Sequence, residues 1–102
     1  MNFRVLPEAQ GDAIEAAIWY DDRQASLGTE FLAVVHQAFQ LIQSDSGSLS
    51  KLETYQGPHD VRRLLLKRFP YAVIVLVRPE EVVVVAVAHT RRRPLYWLDR
   101  LG

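Results

Sequence analysis

The sequence lacks cysteine, so a disulfide framework and a thiolate metal site are both excluded. Its five glycines stand apart from one another, and none belongs to a loop that could cradle a phosphate. The three histidines, His36, His59 and His89, are not spaced as metal ligands on one element, so we expect neither a metal nor another cofactor. The apolar stretch from Val82 to Ala88 is too short to cross a bilayer, and the first ten residues lack the apolar core of a signal peptide. We therefore expect a cytoplasmic protein.

Charge is balanced overall but divided unevenly along the chain. Residues 1–50 carry two arginines against seven carboxylates, a net charge of −5, whereas residues 51–102 carry ten cations against five carboxylates, a net charge of +5. Because the halves cancel, the neutral total hides a basic region that could meet a polyanion or an acidic protein. At 102 residues the chain is predicted to form a single domain, residues 1–102.

The first half of the chain predicts one strand and two helices. Asn2 to Leu6 reads as a strand, and Pro7 suits the first turn of a helix that runs from Glu8 to about Gln24. The predicted apolar face of this helix consists of Ala9, Ala13, Ile14, Ala17 and Ile18. A second helix is predicted from about Thr29 to Ser44, with an apolar face of Leu27, Phe31, Val34, Val35, Ala38, Leu41 and Ile42. The short joint between them predicts an antiparallel helical hairpin.

The second half predicts three strands joined by short turns. These are Val61 to Phe69, Tyr71 to Val77 and Val82 to Ala88. The element order β-α-α-β-β-β indicates an α+β fold, in which the hairpin packs on a small antiparallel sheet. The last two strands are apolar at every position, whereas a sheet with one wet face would alternate. Their second face must therefore be covered as well, by the tail, by another chain or by both. The alternative interpretation is that these are simply buried central strands.

Cationic and aromatic residues are the strongest candidates for a functional surface. Paired carboxylates at Asp21–Asp22 and Glu80–Glu81 fit solvated charge, and no serine has a base near it in sequence. The candidate target-binding residues are Arg62, Arg63, Lys67, Arg68, His89, Arg91, Arg92, Arg93, Tyr96 and Trp97. Strand alternation predicts Arg63 and Lys67 on one face and Arg62 and Arg68 on the other. The alternatives are that strand-edge charges only prevent aggregation, and that Trp97 caps the open sheet face.

Three segments in order, "LGTEFLAVVHQAFQLI", "VRRLLLKRFPYAVIV" and "AVAHTRRRPLYWLDR", resemble the RelE/ParE superfamily of toxins from bacterial type II toxin–antitoxin modules. The resemblance covers nearly the whole chain, and the "RFPY" and "RRRPLYW" wording is nearer the ParE-like branch. It implies a small sheet with an N-terminal helical hairpin, and a cognate antitoxin that wraps the toxin with an extended or helical segment.

The resemblance leaves three functions open. ParE-like members poison DNA gyrase by binding it, which is our first expectation. RelE-like members cut messenger RNA on the ribosome, and that function would place Arg63, Lys67, Arg92 and Tyr96 in the charge-stabilising and acid–base roles. However, Ala72 and Leu65 stand where those ribonucleases carry an arginine and a lysine. A relative that binds its antitoxin without being toxic is the third possibility.

Overall fold

The computed structural model describes residues 2–102 and has two helices packed on a five-stranded sheet. In chain order the elements are β1 (Asn2–Val5), α1 (Pro7–Arg23), α2 (Leu27–Ser44), β2 (Ser50–Lys51), β3 (Asp60–Leu65), β4 (Tyr71–Val77) and β5 (Glu81–His89). Single 3₁₀ turns follow α2 at Ser46–Ser48 and end the chain at Leu98–Leu101. The predicted α+β fold is confirmed. No helix among residues 2–102 has the length and apolar character needed to cross a membrane.

The sheet has the strand order β1-β5-β4-β3-β2. Strands β2 to β5 are antiparallel to their neighbours, as predicted, but β1 pairs with β5 in parallel. The prediction of a purely antiparallel sheet was therefore wrong, because the hairpin and three strands return the chain to the edge where it began. The two-residue strand β2, which is too short to leave a sequence pattern, was also missed.

The helical hairpin is held together by small residues. Alanines 9, 13, 16 and 17 form the buried face of α1, and Gly28 at the start of α2 lies against Ala17. A Cβ on Gly28 would lie 2.2 Å from the carbonyl oxygen of Ala17, so only glycine permits this close approach. Ile14 and Ile18 were predicted on the apolar face of α1, but they are exposed because α2 packs on the alanine side of the helix.

One face of the sheet, the hairpin face, is covered by α1 and α2. Its core joins Val73, Val75 and Val84 of the central strands to residues of both helices. Four rings, those of Tyr20, Phe31, Phe69 and Tyr71, pack with centroids 5.0–6.2 Å apart at the end of this core. Such a cluster adds aromatic packing to the burial of area and fixes the hairpin on the sheet.

The opposite face, the tail face, is covered by the chain itself. Ile74, Val83 and Val85 pack there against Trp97 and Leu101 of the C-terminal tail, residues 95–102. Trp97 is only 2% exposed, so it caps the sheet, as one of our two alternatives held. The continuous apolar character of β4 and β5 is thus explained by two covered faces. This face is therefore not an exposed apolar surface for an antitoxin to cover.

The predicted strand 61–69 ends at Leu65, which changes the placement of two cations. Lys67 and Arg68 lie in the turn that leads to β4, and Arg68 has a left-handed backbone with φ of 71°. The prediction that Arg63 and Lys67 share one strand face, with Arg62 and Arg68 on the other, was therefore wrong. The turn begins early because Pro70 cannot donate a ladder hydrogen bond.

Candidate functional site

Three arginines from distant parts of the sequence line one cleft on the tail side of the sheet. Arg63 projects from β3, and Arg92 and Arg93 come from the arginine turn, residues 90–93, which follows β5. The cleft, called here the arginine cleft, has a volume of about 220 Å³. Its other lining residues are Leu52, Thr54, Leu65, Ala72, Ile74, Ala88, His89, Thr90, Pro94, Leu95, Tyr96 and Trp97. None of these residues is acidic, so the cleft presents unopposed positive charge.

Strand register and backbone hydrogen bonds bring the three arginines together. Arg63 lies opposite Ile74 of β4, and β4 in turn pairs with β5 as far as the start of the arginine turn. The Thr90 N–H donates to the Pro70 carbonyl at 2.9 Å, and the Arg92 N–H donates to the His89 carbonyl at 3.0 Å. Among residues 2–102, no carboxylate lies within ion-pair distance of Arg63, Arg92 or Arg93. Their guanidinium groups therefore stay available to a ligand.

His89 forms the corner between β5 and the arginine turn. Its Nδ1 accepts a hydrogen bond from the Arg91 N–H at 3.0 Å, and its ring packs edge-on against Tyr71 at a centroid distance of 5.0 Å. Arg91 itself is exposed and is absent from the cleft lining. His89 therefore shapes the turn while Arg91 points away from the cleft.

Tyr96 borders the arginine cleft with its ring, while its hydroxyl points elsewhere. The Arg92 guanidinium stacks over the ring at 3.7 Å from the centroid. The hydroxyl donates to Asp12 Oδ2 on α1 at 3.1 Å. Burial, and then the nearby Asp12 charge, raise the pKa of Tyr96 to about 12. A phenol bonded in this way is a poor proton acceptor near neutral pH.

Asp12 and Arg100 complete this arrangement, and the sequence analysis did not single out either residue. Arg100 Nη1 lies 2.7 Å from Asp12 Oδ2, and the side chains of Arg100 and Asp12 are only 14% and 8% exposed. Asp12 lies on α1 but is not part of the apolar face predicted for that helix. The alanines near it in α1 were the local indication that Asp12 is buried. Its partners Tyr96 and Arg100 are 84 and 88 residues away in the sequence, so no local pattern indicated them.

Four of the predicted target-binding cations, Arg62, Lys67, Arg68 and the exposed Arg91, lie outside the arginine cleft. Arg62 is held by Asp60 in a two-pronged ion pair with contacts of 3.0 and 3.1 Å, and this pair lowers the pKa of Asp60. Lys67 and Arg68 line a different surface, and Arg68 pairs with Glu30 of α2 at 3.0 Å. The cations predicted as one surface are therefore dispersed, because three line the arginine cleft, two line the second surface, and Arg62 and Arg91 line neither.

That second surface is a groove of about 450 Å³ between α2 and β3, called here the α2–β3 groove. Its walls include Leu41 and Leu65, which are 49% and 53% exposed, although Leu41 was predicted on the buried face of its helix. Lys67 and Arg68 stand at its rim with Glu30. An exposed apolar groove with cations at its edge fits an amphipathic segment that carries carboxylates.

Comparisons with known proteins bear on the family and the fold. The model of the family described as "ParE toxin of type II toxin-antitoxin system, parDE" matches residues 3–94. A search among curated proteins finds no match. A solved structure titled "Chromosomal ParDE TA system from P. aeruginosa" superposes with a TM-score of 0.75 and covers 87% of this chain and 95% of its own. At 16% identity that likeness shows the fold alone.

The family match spans both helices, the whole sheet and the arginine turn, and it confirms the resemblance to the RelE/ParE superfamily. The tail from Leu95 onward, with Tyr96 and Arg100, lies beyond the matched residues. The chain belongs to the ParE toxin family of type II toxin–antitoxin systems.

Proposed function

We propose that this ParE-family toxin inhibits growth by binding DNA gyrase through the arginine cleft. The observation that carries the proposal is the convergence of Arg63, Arg92 and Arg93 on a cleft with no acidic lining residue. Guanidinium forks bind carboxylates in pairs of hydrogen bonds, so an acidic segment of a protein target would fit this cleft. Apolar side chains beside the charges would supply the buried contact that anchors such an interface.

Binding is favoured over RNA cleavage by the composition of the cleft. Ala72 and Leu65, which stand where the related ribonucleases carry cations, both line it. Lys67, the strand cation of the ribonuclease set, lies at the α2–β3 groove instead. The hydroxyl of Tyr96 is bonded to Asp12 and has a raised pKa, so it is not arranged to take a proton from a ribose 2′-hydroxyl.

The antitoxin is proposed to occupy the α2–β3 groove. An amphipathic segment would place apolar side chains against Leu41 and Leu65 and carboxylates near Lys67 and Arg68. This position leaves the arginine cleft on the other side of β3. The two partners of the toxin would then bind different surfaces that share Leu65.

The gyrase proposal is tested with the variants Arg92→Ala and Arg93→Ala. Both should lose most inhibition of gyrase supercoiling, because each removes a guanidinium from the cleft, and both should stay folded because exposed charges contribute only about 0.5 kcal/mol to stability. Arg78→Ala is the charge-matched control, since Arg78 lies in the turn between β4 and β5 at the far end of these strands. Full inhibition by both cleft variants would contradict the proposed contact.

A parallel assay on ribosome-bound messenger RNA separates the alternatives. Under the gyrase proposal the message stays whole while supercoiling is blocked. Cleaved message with normal supercoiling would favour the ribonuclease function. A protein without either effect that still binds its antitoxin tightly would be the non-toxic relative.

The antitoxin surface is tested with Leu41→Glu. A charge placed on the groove wall should weaken antitoxin binding by about tenfold or more, because it puts a carboxylate where an apolar side chain must dock. Leu32→Glu is the matched control, since Leu32 is a similarly exposed leucine of α2 that does not line the groove. Isothermal titration with the purified antitoxin gives both affinities, and equal affinities would exclude this groove.

A further inference from the structure

We propose that Asp12 is a positioning residue which, through Tyr96 and Arg100, fixes the arginine turn in the conformation that forms the arginine cleft. The three side chains are called here the clasp. The role of the clasp in target binding rests on the proposed function, whereas its effect on the conformation of the arginine turn does not.

The Asp12 carboxylate is the centre of the clasp. It accepts four hydrogen bonds, from the Val87 N–H at 3.1 Å, from the Tyr96 hydroxyl at 3.1 Å and from Arg100 at 2.7 and 3.3 Å. One side chain of α1 is thereby joined to β5 and to two points of the tail. A carboxylate this buried is retained only when its oxygens are satisfied, and here both are.

The clasp occupies an edge of β5 that no strand covers. Strand β1 pairs with β5 only as far as Val84, and a β-bulge follows, because Val75 faces Val84 while Ile74 faces Ala86. Beyond the bulge, Asp12 accepts from the Val87 N–H, and Arg100 donates to the Val85 carbonyl at 3.1 Å. The two side chains act in place of a strand, so the tail is attached to the backbone of the sheet.

The arginine turn is connected to the clasp through the ring of Tyr96. Arg92 stacks over this ring at 3.7 Å, and Arg100 lies 5.1 Å from its centroid. Between the turn and the clasp, Leu95 has a left-handed backbone with φ of 60°, a conformation that costs energy for a side chain of its size. The hydrogen bond from Tyr96 to Asp12 and the burial of Trp97 hold the chain in this conformation.

The alternative is an ion pair that stabilises the fold without affecting the cleft. The two roles differ in what a mild substitution does. Asp12→Asn keeps an oxygen for the Val87 N–H but removes the charge that binds Arg100 and acts on Tyr96. If the clasp positions the turn, the turn should loosen while the core of the sheet stays closed.

The experiment compares the wild type with Asp12→Asn, Arg100→Gln and Arg100→Lys in the full chain. Hydrogen exchange measured by NMR reports the amides of residues 90–98 and of β4 separately. Absorbance of the tyrosinate at 295 nm, with Tyr96→Phe to identify the signal, reports the titration of Tyr96. Supercoiling inhibition reports the cleft. Glu81→Gln, which breaks the exposed Arg4 pair at the other end of β5, is the matched control.

With Asp12→Asn and Arg100→Gln we expect exchange in residues 90–98 to be about tenfold faster, with β4 amides unchanged, and inhibition to be about tenfold weaker. Asp12→Asn should also move the titration of Tyr96 towards the usual tyrosine range, since the raising charge is gone. Arg100→Lys, which restores one charged contact, should recover part of the inhibition. Glu81→Gln should behave as the wild type in all three measurements.

Unchanged exchange in residues 90–98 of Asp12→Asn would overturn the proposal. It would equally be overturned if the turn loosened while inhibition stayed at the wild-type level, in a protein whose Arg92→Ala variant is inactive. If the wild-type protein does not inhibit gyrase, the proposed function fails and the exchange measurement alone decides on the clasp, with faster exchange supporting it.

Discussion

The two faces of the sheet are covered by very different means. Helices α1 and α2, 35 residues in all, cover the hairpin face, and their Tyr20 and Phe31 pack with Phe69 and Tyr71 in a cluster of four aromatic rings. The tail face is covered mainly by Trp97, Leu101 and the loop that carries Leu52 and Tyr55. The thin cover also lies on the side of the proposed binding cleft, because the tail follows the arginine turn directly in the chain. On the proposals made above, residues that complete the core on this face should also position the arginine cleft.

The two faces should respond differently to substitutions. A defect on the hairpin face acts on a thick layer that carries no proposed target contact. A defect on the tail face acts on eight residues, Leu95–Gly102, that carry both core packing and two of the three clasp residues. Loss of stability and loss of function should therefore be separable on the hairpin face and coupled on the tail face.

The largest expected effect comes from placing a carboxylate on either face of β5. Val84 and Val85 are both fully buried, and they face the hairpin side and the tail side respectively. An unpaired buried carboxylate costs several kcal/mol, which is a large part of the roughly 5–15 kcal/mol that stabilises a domain. Val84→Asp and Val85→Asp should both be unfolded in circular dichroism and one-dimensional NMR spectra. A folded Val85→Asp protein would show that the tail cover admits water.

The second prediction compares one large ring from each cover. Phe31→Ala and Trp97→Ala should each lower the free energy of unfolding by about 3–5 kcal/mol, because both rings are almost fully buried. Urea denaturation at neutral pH measures the loss. Only Trp97→Ala should also speed hydrogen exchange in residues 90–98, since only Trp97 lies in the tail.

The expectations for Phe31→Ala and Trp97→Ala can be contradicted separately. A small loss for Trp97→Ala would mean that the tail adds little to the core, so the apolar face of β4 and β5 would need another cover. Faster tail exchange in Phe31→Ala would mean that the two faces are not independent. In that case the coupling proposed for the tail face would extend through the sheet.

The parts of the fold that the sequence could predict are those with local patterns. Strand β4 was predicted at its observed bounds, Tyr71–Val77, because a continuous apolar run between turn residues leaves little choice. The helical hairpin was predicted from the 3.6-residue repeat and the Leu27–Gly28 break. The parallel pairing of β1 was missed because it joins residues almost 80 positions apart, and no local pattern encodes such a pairing.

The site was predictable only in part, for the same reason. The run of arginines next to Tyr96 predicted a functional surface at the arginine turn. The pairing of β3 with β4 and of β4 with β5 then places Arg63 in the same cleft as that turn. Asp12 was missed because a lone carboxylate on a helix is usually solvated. The sequence could not show that Arg62 and Arg68 form ion pairs whereas Arg63 does not, because these pairs depend on side-chain positions that strand alternation does not predict.

The smallest expected effect compares one phenol from each face under alkaline conditions. Tyr96 on the tail side has a pKa raised to about 12, and burial raises the pKa of Tyr71 on the hairpin side as well. A pKa that is higher in the folded state means that folding favours the protonated phenol. The resulting stability is fully present below pH 10, the ordinary tyrosine value, and is lost as the pH rises through the folded pKa. For Tyr96 the loss between pH 10 and 12 is on the order of 2 kcal/mol.

Urea midpoints measured at intervals from pH 8 to pH 11.5 test this slope, with Tyr96→Phe and Tyr71→Phe as the paired variants. Tyr96→Phe should flatten the alkaline slope more than Tyr71→Phe, because Asp12 both carries a nearby charge and accepts a hydrogen bond at Tyr96, whereas at Tyr71 it acts through its charge alone. Its stability at pH 8 should also be lower, since the bond to Asp12 is lost, but the slope is read independently of that baseline. An equal slope in the two variants would mean that the hydrogen bond to Asp12 does not raise the pKa of Tyr96, and the clasp would then lose its electrostatic link to the tail.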